Sequence, residues 1–461
     1  MHQIDFSNGR ITKNILQTAL PMLVAQIVNL LYNIVDRIYI GRIPGTGSYA
    51  LGAVGLCFPL IIIITAFTNL YGSGGAPLCS IERGRGNTEK ASLILNLSYF
   101  MLTATSLVLI LLGELLARPV LVAFGASAEN LVYSLPYLRI YLLGTVFSMT
   151  ATGLNPYINA QGFPGMGMLT VLIGAAANLV LDPLFIFVLG MGVEGAAAAT
   201  VISQFLSAAF VFWFLRSDKA ELKISLMKPS DFAASLPLAM DIISLGTASF
   251  VMQFTNSLVT MVCNSVLSSR GGDLWISVMT TVSSVRQMLD IPVMAVGDGS
   301  SPVISFNYGA KKPGNVRKSI LIMTLLGCSY TLVVWILILI RPSFFISIFT
   351  SDEELISMAS PALHLYFFAF IFQALQISGQ TAFKALNKKK HAIFFSIFRK
   401  VIMVVPLTLI LPGLFGLGVR GVFMAEPVSN FVGGSACMIT MLLTVWPELN
   451  AMEKDSSTDL L

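Results

Sequence analysis

Long, unbroken apolar runs are the feature that most constrains this chain, and examples are Leu56–Leu70, Leu93–Leu112 and Ile320–Ile340. A helix needs about 20 apolar residues to cross the hydrocarbon core of a bilayer, whereas a membrane β-barrel shows alternating segments of about ten residues. Hydrophobic residues make up 55% of the 461 positions and charged residues only 11%. This composition excludes a water-soluble protein of this length. The sequence predicts an all-α integral membrane protein.

Twelve membrane-spanning helices account for the apolar runs. The predicted spans cover residues 14–40, 51–80, 91–116, 134–157, 166–190, 194–215, 238–267, 274–306, 317–340, 358–383, 391–412 and 418–446.

The basic residues predict how these spans are oriented. If the N-terminus is inside, the inner segments carry most of the lysines and arginines. The outer connections then carry no lysine and five arginines, namely Arg42, Arg118, Arg270, Arg341 and Arg420. Basic residues resist translocation, so we expect both termini of this multi-pass protein to be cytoplasmic. Its expected location is the inner (plasma) membrane of a bacterial cell. The net charge of +5 is then explained by contact with anionic inner-leaflet lipids and requires no nucleic acid.

The second half of the chain repeats the first. Five residues of GSGGAPLCSIERG recur 225 positions later in GDGSSPVISFNYG: Gly72, Gly74, Pro77, Ser80 and Gly84 correspond to Gly297, Gly299, Pro302, Ser305 and Gly309. We therefore predict a first lobe of six spans at 1–217, a cytoplasmic linker at 218–235, a second lobe of six spans at 236–448 and a disordered cytoplasmic tail at 449–461.

An even number of spans in each half gives both lobes one orientation, so a pseudo-twofold axis along the membrane normal would relate them. Rocking of two such bundles is how many transporters give alternating access to a central site. The architecture therefore favours transport. We also expect the chain to be a monomer, with membrane lipids as partners and no cofactor.

Carboxylates inside predicted spans are the candidate functional groups, because a charge at mid-membrane costs from about 3 to over 10 kcal/mol. In the first span a polar stripe with helical spacing ends at Asp36, with Tyr32 one turn before it. Its other members are Gln26, Asn29 and Asn33. This face is expected to meet protein or water rather than lipid.

The fifth and sixth spans carry a second polar group. Asn178 and Asp182 share a helix face, and Pro183 is expected to loosen the helix near residue 179. Thr200 lies one turn after Ala196 in the sixth span. Together with Asp36, these oxygen-bearing groups predict a site for a proton or for Na⁺.

The second half does not repeat this group. Asp36 aligns with Cys263 and Asp182 aligns with Thr408, while Glu426 takes the place of Thr200. A feature present in only one copy is not a packing requirement of the repeat. The role of Glu426 stays open, and Arg286 and Asp290, one helical turn apart, are predicted to pair with each other.

Several segments resemble the multidrug and toxic compound extrusion (MATE) family. They are the first span from Pro21 through LYNIVDRIYIG, then GSGGAPLCSIERGRG, NPYINAQG, NLVLDP, GVEGAAAAT and SFNYGA. The resemblance extends over nearly the whole chain and is nearest to the DinF-like and MepA-like branches. A further branch keeps acidic residues in the carboxy-terminal lobe. The segment SFVMQFTNSLVTMVC of the seventh span has none here, which argues against membership of that branch.

The resemblance implies two six-helix lobes and export of drugs and other small organic compounds, often cationic, in exchange for H⁺ or Na⁺. By resemblance, the side chains of Asp36, Asn178, Asp182 and Thr200 form the cation site, and they would be the ligands if the bound ion is Na⁺. Ala196 would contribute backbone. The residues expected near the site or in the substrate cavity are Tyr32, Asn33, Gln26, Asn29, Asn155, Gln253, Asn256 and Met288.

Four alternatives remain for the function. A flippase for a lipid-linked saccharide has a similar two-lobe architecture but requires basic residues for pyrophosphate, and most charged residues here lie in inner loops. A major facilitator carrier is also built from six plus six spans. A membrane-embedded enzyme requires a nucleophile with its base or a metal cluster, and no such motif is found, so we predict that the chain is not an enzyme. A channel is disfavoured because no filter-like repeat is present.

Overall fold

The computed structural model describes residues 3–7, 10–225, 227, 235–414 and 416–458. All regular elements in these ranges are helical. In the first half they are α1 Ile11–Gly41, α2 Gly47–Gly84, α3 Thr88–Ala123, α4 Ala128–Leu143, α5 Thr145–Ala160, α6 Pro164–Pro183 with a π-helical turn at Leu184–Val188, and α7 Gly192–Arg216.

The second half contains the corresponding helices and two short additional ones, at 342–347 and 405–410. They are α8 Leu236–Gly271, α9 Asp273–Gly309, α10 Pro313–Ile340, α11 Pro342–Ser347, α12 Glu353–Tyr366, α13 Phe370–Ala385, α14 Lys389–Ile397 followed by a π-helical turn at Phe398–Val404, α15 Val405–Ile410 with a 3₁₀ turn at Leu411–Gly413, and α16 Val419–Thr458.

The predicted all-helical membrane fold is confirmed. In the described ranges nine helical segments are long and apolar enough to cross a membrane, or eleven if each bent helix pair counts as one span. The remaining predicted span, 274–306, is the 37-residue helix α9. This helix is long enough to cross a membrane but less apolar than the other nine, because Arg286, Asp290 and Asp298 interrupt its apolar sequence.

Two predicted spans are bent rather than straight. The span at 134–157 is the pair α4 and α5, bent by 54°, and the span at 358–383 is the pair α12 and α13, bent by 51°. The first bend lies at Gly144, where an added Cβ would come within 2.5 Å of Val201 Cγ2 on α7. Only glycine allows the bent helix to approach α7 this closely.

The expectation of a disordered tail after Glu448 is wrong. Helix α16 continues to Thr458, and Leu449 is fully buried in a core cluster that also contains Val445 and Cys437. Apolar residues spaced along the helix keep one of its faces packed. Burial of that face outweighs the acidic, serine-rich composition on which the expectation rested.

Contacts between residues divide the chain into two compact units. Unit 1 contains Val24–Gly246 together with the residues up to Ile4, and unit 2 contains Asp5–Leu23 together with the residues from Thr247 onward. Helix α1 therefore begins in unit 2, and helix α8 begins in unit 1. The predicted linker, 218–235, lies partly outside the described residues. Its first part packs in unit 1, where the Leu222 amide donates to Gln161 Oε1 at 2.8 Å.

The repeat is visible in the packing of each unit. In unit 1 a Cβ added to Gly74 would lie 2.3 Å from the Ile242 carbonyl of α8, and in unit 2 a Cβ added to Gly299 would lie 2.6 Å from Ala19 Cα of α1. Two glycines 225 residues apart thus perform the same task. Each allows a long helix to pack against the first turns of another.

Candidate functional site

A buried polar group lies in unit 1, where three helices meet. Helix α6 contributes Asn178 and Asp182, helix α7 contributes Thr200, and helix α1 contributes Asp36. Asn178 Nδ2 donates to Asp182 Oδ1 at 3.1 Å and to Thr200 Oγ1 at 3.4 Å. Asp182 has no exposed surface. The amide of Asn178 therefore links the carboxylate of one helix to the hydroxyl of the next.

Asp36 completes this group, because its carboxyl group lies next to that of Asp182 and the two interact directly. Within the described residues, the buried atoms Asp36 Oδ1 and Asp182 Oδ2 have no hydrogen-bond partner. Two adjacent carboxylates in a low-dielectric interior repel each other, and a proton or a cation between them removes the repulsion. Two carboxylates, an amide and a hydroxyl are also ligands that suit a hard monovalent cation.

Two tyrosines lie near the carboxylates, and a third stacks on one of them. Tyr32 lies on α1 near both aspartates, and Tyr137 and Tyr141 on α4 stack on each other with ring centroids 6.3 Å apart. Tyr137 also lies near Asp36. The sequence argument included Tyr32 but not Tyr137 as a site residue. The sequence could have indicated Tyr137, because it lies four residues before Tyr141 on the same helix face of a predicted span.

The local irregularity of α6 positions the group. We expected the helix to loosen near residue 179, but it changes to a π-helical turn at Leu184–Val188, directly after Pro183. A Cβ added to Gly195 of α7 would lie 2.8 Å from the backbone carbon of Phe185 in this turn. Ala196, which follows, is fully buried. The glycine thus lets α7 bring Thr200 within reach of Asn178.

The other predicted residues of the first half have contacts of their own. Asn29 and Asn33 are exposed, and Asn33 Nδ2 donates to the Asn29 carbonyl at 2.6 Å. Gln26 is partly buried on the same helix. Asn155 donates to the Gly167 carbonyl at 2.8 Å and accepts from Asn159. Its recorded partners do not include either aspartate.

The predicted cavity residues of the second half also differ in how far they are buried. Asn256 is exposed and Gln253 is partly buried on α8. Met288 packs against the apolar core of unit 2, which is the role that methionine most often has in a helical membrane protein.

The positions equivalent to Asp36 and Asp182 carry no acid in unit 2. Cys263 Sγ lies 3.8 Å from Thr408 Oγ1, so the positions equivalent to Asp36 and Asp182 are also neighbours. The same helix packing brings both pairs together. A Cβ added to Gly421 would lie 2.6 Å from Leu411, as one added to Gly195 would meet Phe185, 226 residues earlier. The fold therefore requires two facing side chains at this place but not their charge.

Unit 2 instead has a buried ionic group centred on Glu426. Its Oε1 accepts from Arg286 Nη1 at 2.7 Å, from Arg399 Nη1 at 2.8 Å and from Lys400 Nζ at 3.1 Å. The predicted pair of Arg286 and Asp290 is confirmed at 3.3 Å. The sequence argument missed Arg399 and Lys400. Two adjacent basic residues inside the predicted span 391–412 were the signal that could have found them.

Two repeated units of membrane-spanning helices, with a pair of facing aspartates in only one of them, define a multi-pass membrane transporter rather than an enzyme. The family model described as MatE matches residues 21–184 and 248–410, once in each half. The chain belongs to this family of multidrug and toxic compound extrusion transporters, and both the predicted membership and the predicted transport class are confirmed.

Relatives found by sequence comparison include multidrug export proteins named MepA. The multidrug export protein MepA of Staphylococcus aureus strain MSSA476 is 24% identical over 454 residues, which cover 98% of this chain and 97% of MepA. MepA of Staphylococcus haemolyticus strain JCSC1435 is 22% identical and covers 93% of each chain. These relatives agree with the predicted MepA-like branch and do not favour the flippase alternative.

Solved structures share the fold. An outward-facing MATE transporter of the MOP superfamily aligns with a TM-score of 0.88 at 23% identity, over 96% of this chain and 97% of that one. A MOP superfamily transporter from Pyrococcus furiosus, described as having a binding pocket of reverse polarity, aligns with a TM-score of 0.89 at 22% identity, over 98% and 99%.

Proposed function

We propose that this protein is a secondary active antiporter that exports small organic compounds, organic cations among them, in exchange for H⁺ or Na⁺. It would reside in the cytoplasmic membrane of a bacterium as a monomer, with both termini in the cytoplasm. The coupling site consists of Asp36, Asn178, Asp182 and Thr200, with backbone from the turn at Ala196.

One observation carries this proposal: Asp36 and Asp182 face each other in unit 1, while the equivalent Cys263 and Thr408 face each other in unit 2. Identical packing has therefore been kept without the acids in one copy. Two neighbouring carboxylates in an apolar interior are costly to maintain. Their presence in one unit alone is explained by binding of an ion and not by folding.

Ion binding drives transport only if the ion binds two conformations with different affinity. With the site empty, repulsion between the two carboxylates opposes their close approach. With a proton or Na⁺ bound, that repulsion is removed, and the conformation in which α1 lies against α6 is stabilised. Alternation between these conformations exposes the substrate to each side of the membrane in turn.

The test is export of a fluorescent organic cation, ethidium, measured as its uptake into inverted membrane vesicles with pH and Na⁺ gradients imposed separately. The parent protein should accumulate ethidium under at least one gradient, and Asp36→Asn should not. The matched control is Cys263→Ser in the equivalent position of unit 2, which should transport like the parent. Parent-like efflux by Asp36→Asn would refute the assignment of the coupling site.

A further inference from the structure

The ionic group of unit 2 carries more positive than negative charge. Arg286 and Asp290 come from α9, Arg399 and Lys400 from the π-helical turn after α14, and Glu426 from α16. Three cations thus share two carboxylates. All five residues are buried or half-buried, and Arg399 and Lys400 lie within a candidate membrane span, Lys389–Gly413.

Both carboxylates are already fully engaged. Glu426 accepts from all three cations. Asp290 accepts from Arg286 and also from Gln373 Nε2 at 2.7 Å, and Gln373 Oε1 in turn accepts from Arg286 Nη2 at 2.6 Å. No further negative side chain is recorded against this group in the described residues. One positive charge therefore remains uncompensated in a place where an unpaired charge is costly.

The surplus charge lies on the side of Arg399 and Lys400. An arginine has five N–H donors and a lysine has three. In the described part of the chain, Arg399 uses Nη1 for Glu426 and Asn430, and Lys400 uses Nζ only for Glu426. Their side chains remain 13% and 12% exposed, against 3% for Glu426. Some N–H donors of Arg399 and Lys400 therefore have no acceptor in the described residues, and part of each side chain is accessible to a ligand.

The backbone is shaped to hold these two side chains. The π-helical turn Phe398–Val404 replaces regular α-helix, and such turns are frequent at functional sites. Ser429 Oγ donates to the Arg399 carbonyl at 2.8 Å. A Cβ added to Gly433 would lie 3.2 Å from Arg399 Cγ, so glycine makes room for the arginine stem on α16.

We infer that Arg399 and Lys400 bind the carboxylate of a transported organic compound, whether that compound is a simple acid or a zwitterion. The inference rests on the proposed function and names a substrate class for it. A bound carboxylate supplies the missing negative charge and accepts the unused donors, in charge-assisted hydrogen bonds. An ionic group that served folding alone would be balanced without it.

The test is equilibrium binding to the purified full-length protein in detergent, by isothermal titration calorimetry, with 2-naphthoate and its neutral analogue 2-naphthamide. Naphthoate should bind about tenfold tighter than naphthamide, as expected from a hydrogen bond to a charged group. Lys400→Met should abolish that preference while leaving naphthamide binding unchanged. This variant leaves two cations with two carboxylates, so we expect it to fold.

Two further variants serve as controls. Lys400→Arg keeps the charge and should keep the preference. Arg317→Gln removes a positive charge from the same unit at an exposed pair with Glu453 and should bind both probes like the parent. Equal binding of the two probes, absence of naphthoate binding, or an unchanged preference in Lys400→Met would each overturn the inference.

Failure of this inference is distinguishable from failure of the proposed function. Equilibrium binding in detergent needs no ion gradient, whereas ethidium accumulation in vesicles does. Carboxylate binding without gradient-driven efflux would reject the antiport proposal alone. Gradient-driven ethidium efflux without a preference for naphthoate would reject the carboxylate site alone.

Discussion

Asp182 and Thr408 occupy equivalent positions in the two units and differ in whether they can carry charge. Asp182 is fully buried, accepts from Asn178 at 3.1 Å and has a second oxygen without a partner in the described residues. Thr408 is equally buried and lies beside Cys263. The two positions therefore form a matched pair for separating coupling from packing.

We expect Asp182→Asn to abolish gradient-driven efflux and Thr408→Ala to leave it nearly unchanged. Asparagine has almost the shape of aspartate but cannot exchange a proton or neutralise a cation. A gradient of one pH unit supplies about 1.4 kcal/mol per proton, so loss of coupling removes about a tenfold accumulation of substrate. The measurement is the ratio of ethidium inside and outside inverted vesicles. Equal ratios for the two variants would contradict the assignment.

The Glu426 carboxylate pairs with three cations, so removing its charge should strongly destabilise the protein. We expect Glu426→Gln to lower the free energy of unfolding by about 3–5 kcal/mol, because it leaves buried cations without their partner. Thermal unfolding of the purified protein in detergent measures this effect. Glu453→Gln breaks a more exposed pair with Arg317 and should cost at most about 1 kcal/mol. A similar small loss for both variants would show that the buried group does not depend on Glu426.

Helix α7 packs closely against the proposed coupling site because residue 195 is a glycine. The backbone of Phe185 would lie 2.8 Å from a Cβ at Gly195, and the neighbouring π-helical turn cannot retreat without displacing Asp182, which lies just before it. The contact between the helices thus determines the distance between Thr200 and Asn178.

Gly195→Leu should therefore reduce both stability and transport. Inserting a large side chain into a closely packed contact costs about 1–3 kcal/mol, and the displaced helix would carry Thr200 away from Asn178. Melting temperature and vesicle efflux provide the two measurements. Gly55→Leu is the control, because a Cβ at Gly55 meets nothing within 4 Å. If Gly195→Leu transported like Gly55→Leu, the close approach would be irrelevant to the site.

The distribution of charge over the whole chain predicts its orientation in the membrane. Basic residues concentrate in the segments predicted to be inside, and an inward-facing lysine or arginine is retained there during insertion. The predicted linker after Arg216 would then lie in the cytoplasm, and the connection between α3 and α4 would lie outside.

Labelling of single cysteines in intact cells tests this orientation. Glu129→Cys, at the start of α4, should react with a membrane-impermeant thiol reagent in intact cells. Lys219→Cys, in the linker, should react only after the cells are permeabilised. Both positions are exposed, and the parent protein gives the background, because four of its five cysteines are buried. Labelling of Lys219→Cys in intact cells would reverse the proposed topology.

The sequence by itself determined the membrane class, the positions of the twelve spans, the repeat and the pairing of residues one helical turn apart. These features depend on local composition and on fixed helical spacing. Asn178 with Asp182, and Arg286 with Asp290, could be predicted because one turn of helix sets their separation.

Only the tertiary structure decided which distant residues meet. Glu426 pairs with Arg286, which lies 140 positions earlier in the chain, and with Lys400, which lies 26 positions earlier. No periodic pattern in the sequence predicts contacts at these separations. The bends at Gly144 and after Tyr366, and the burial of Leu449 in the final helix, likewise depend on neighbouring helices. Local sequence specifies which side chains a helix presents. Packing between helices determines which partners those side chains meet.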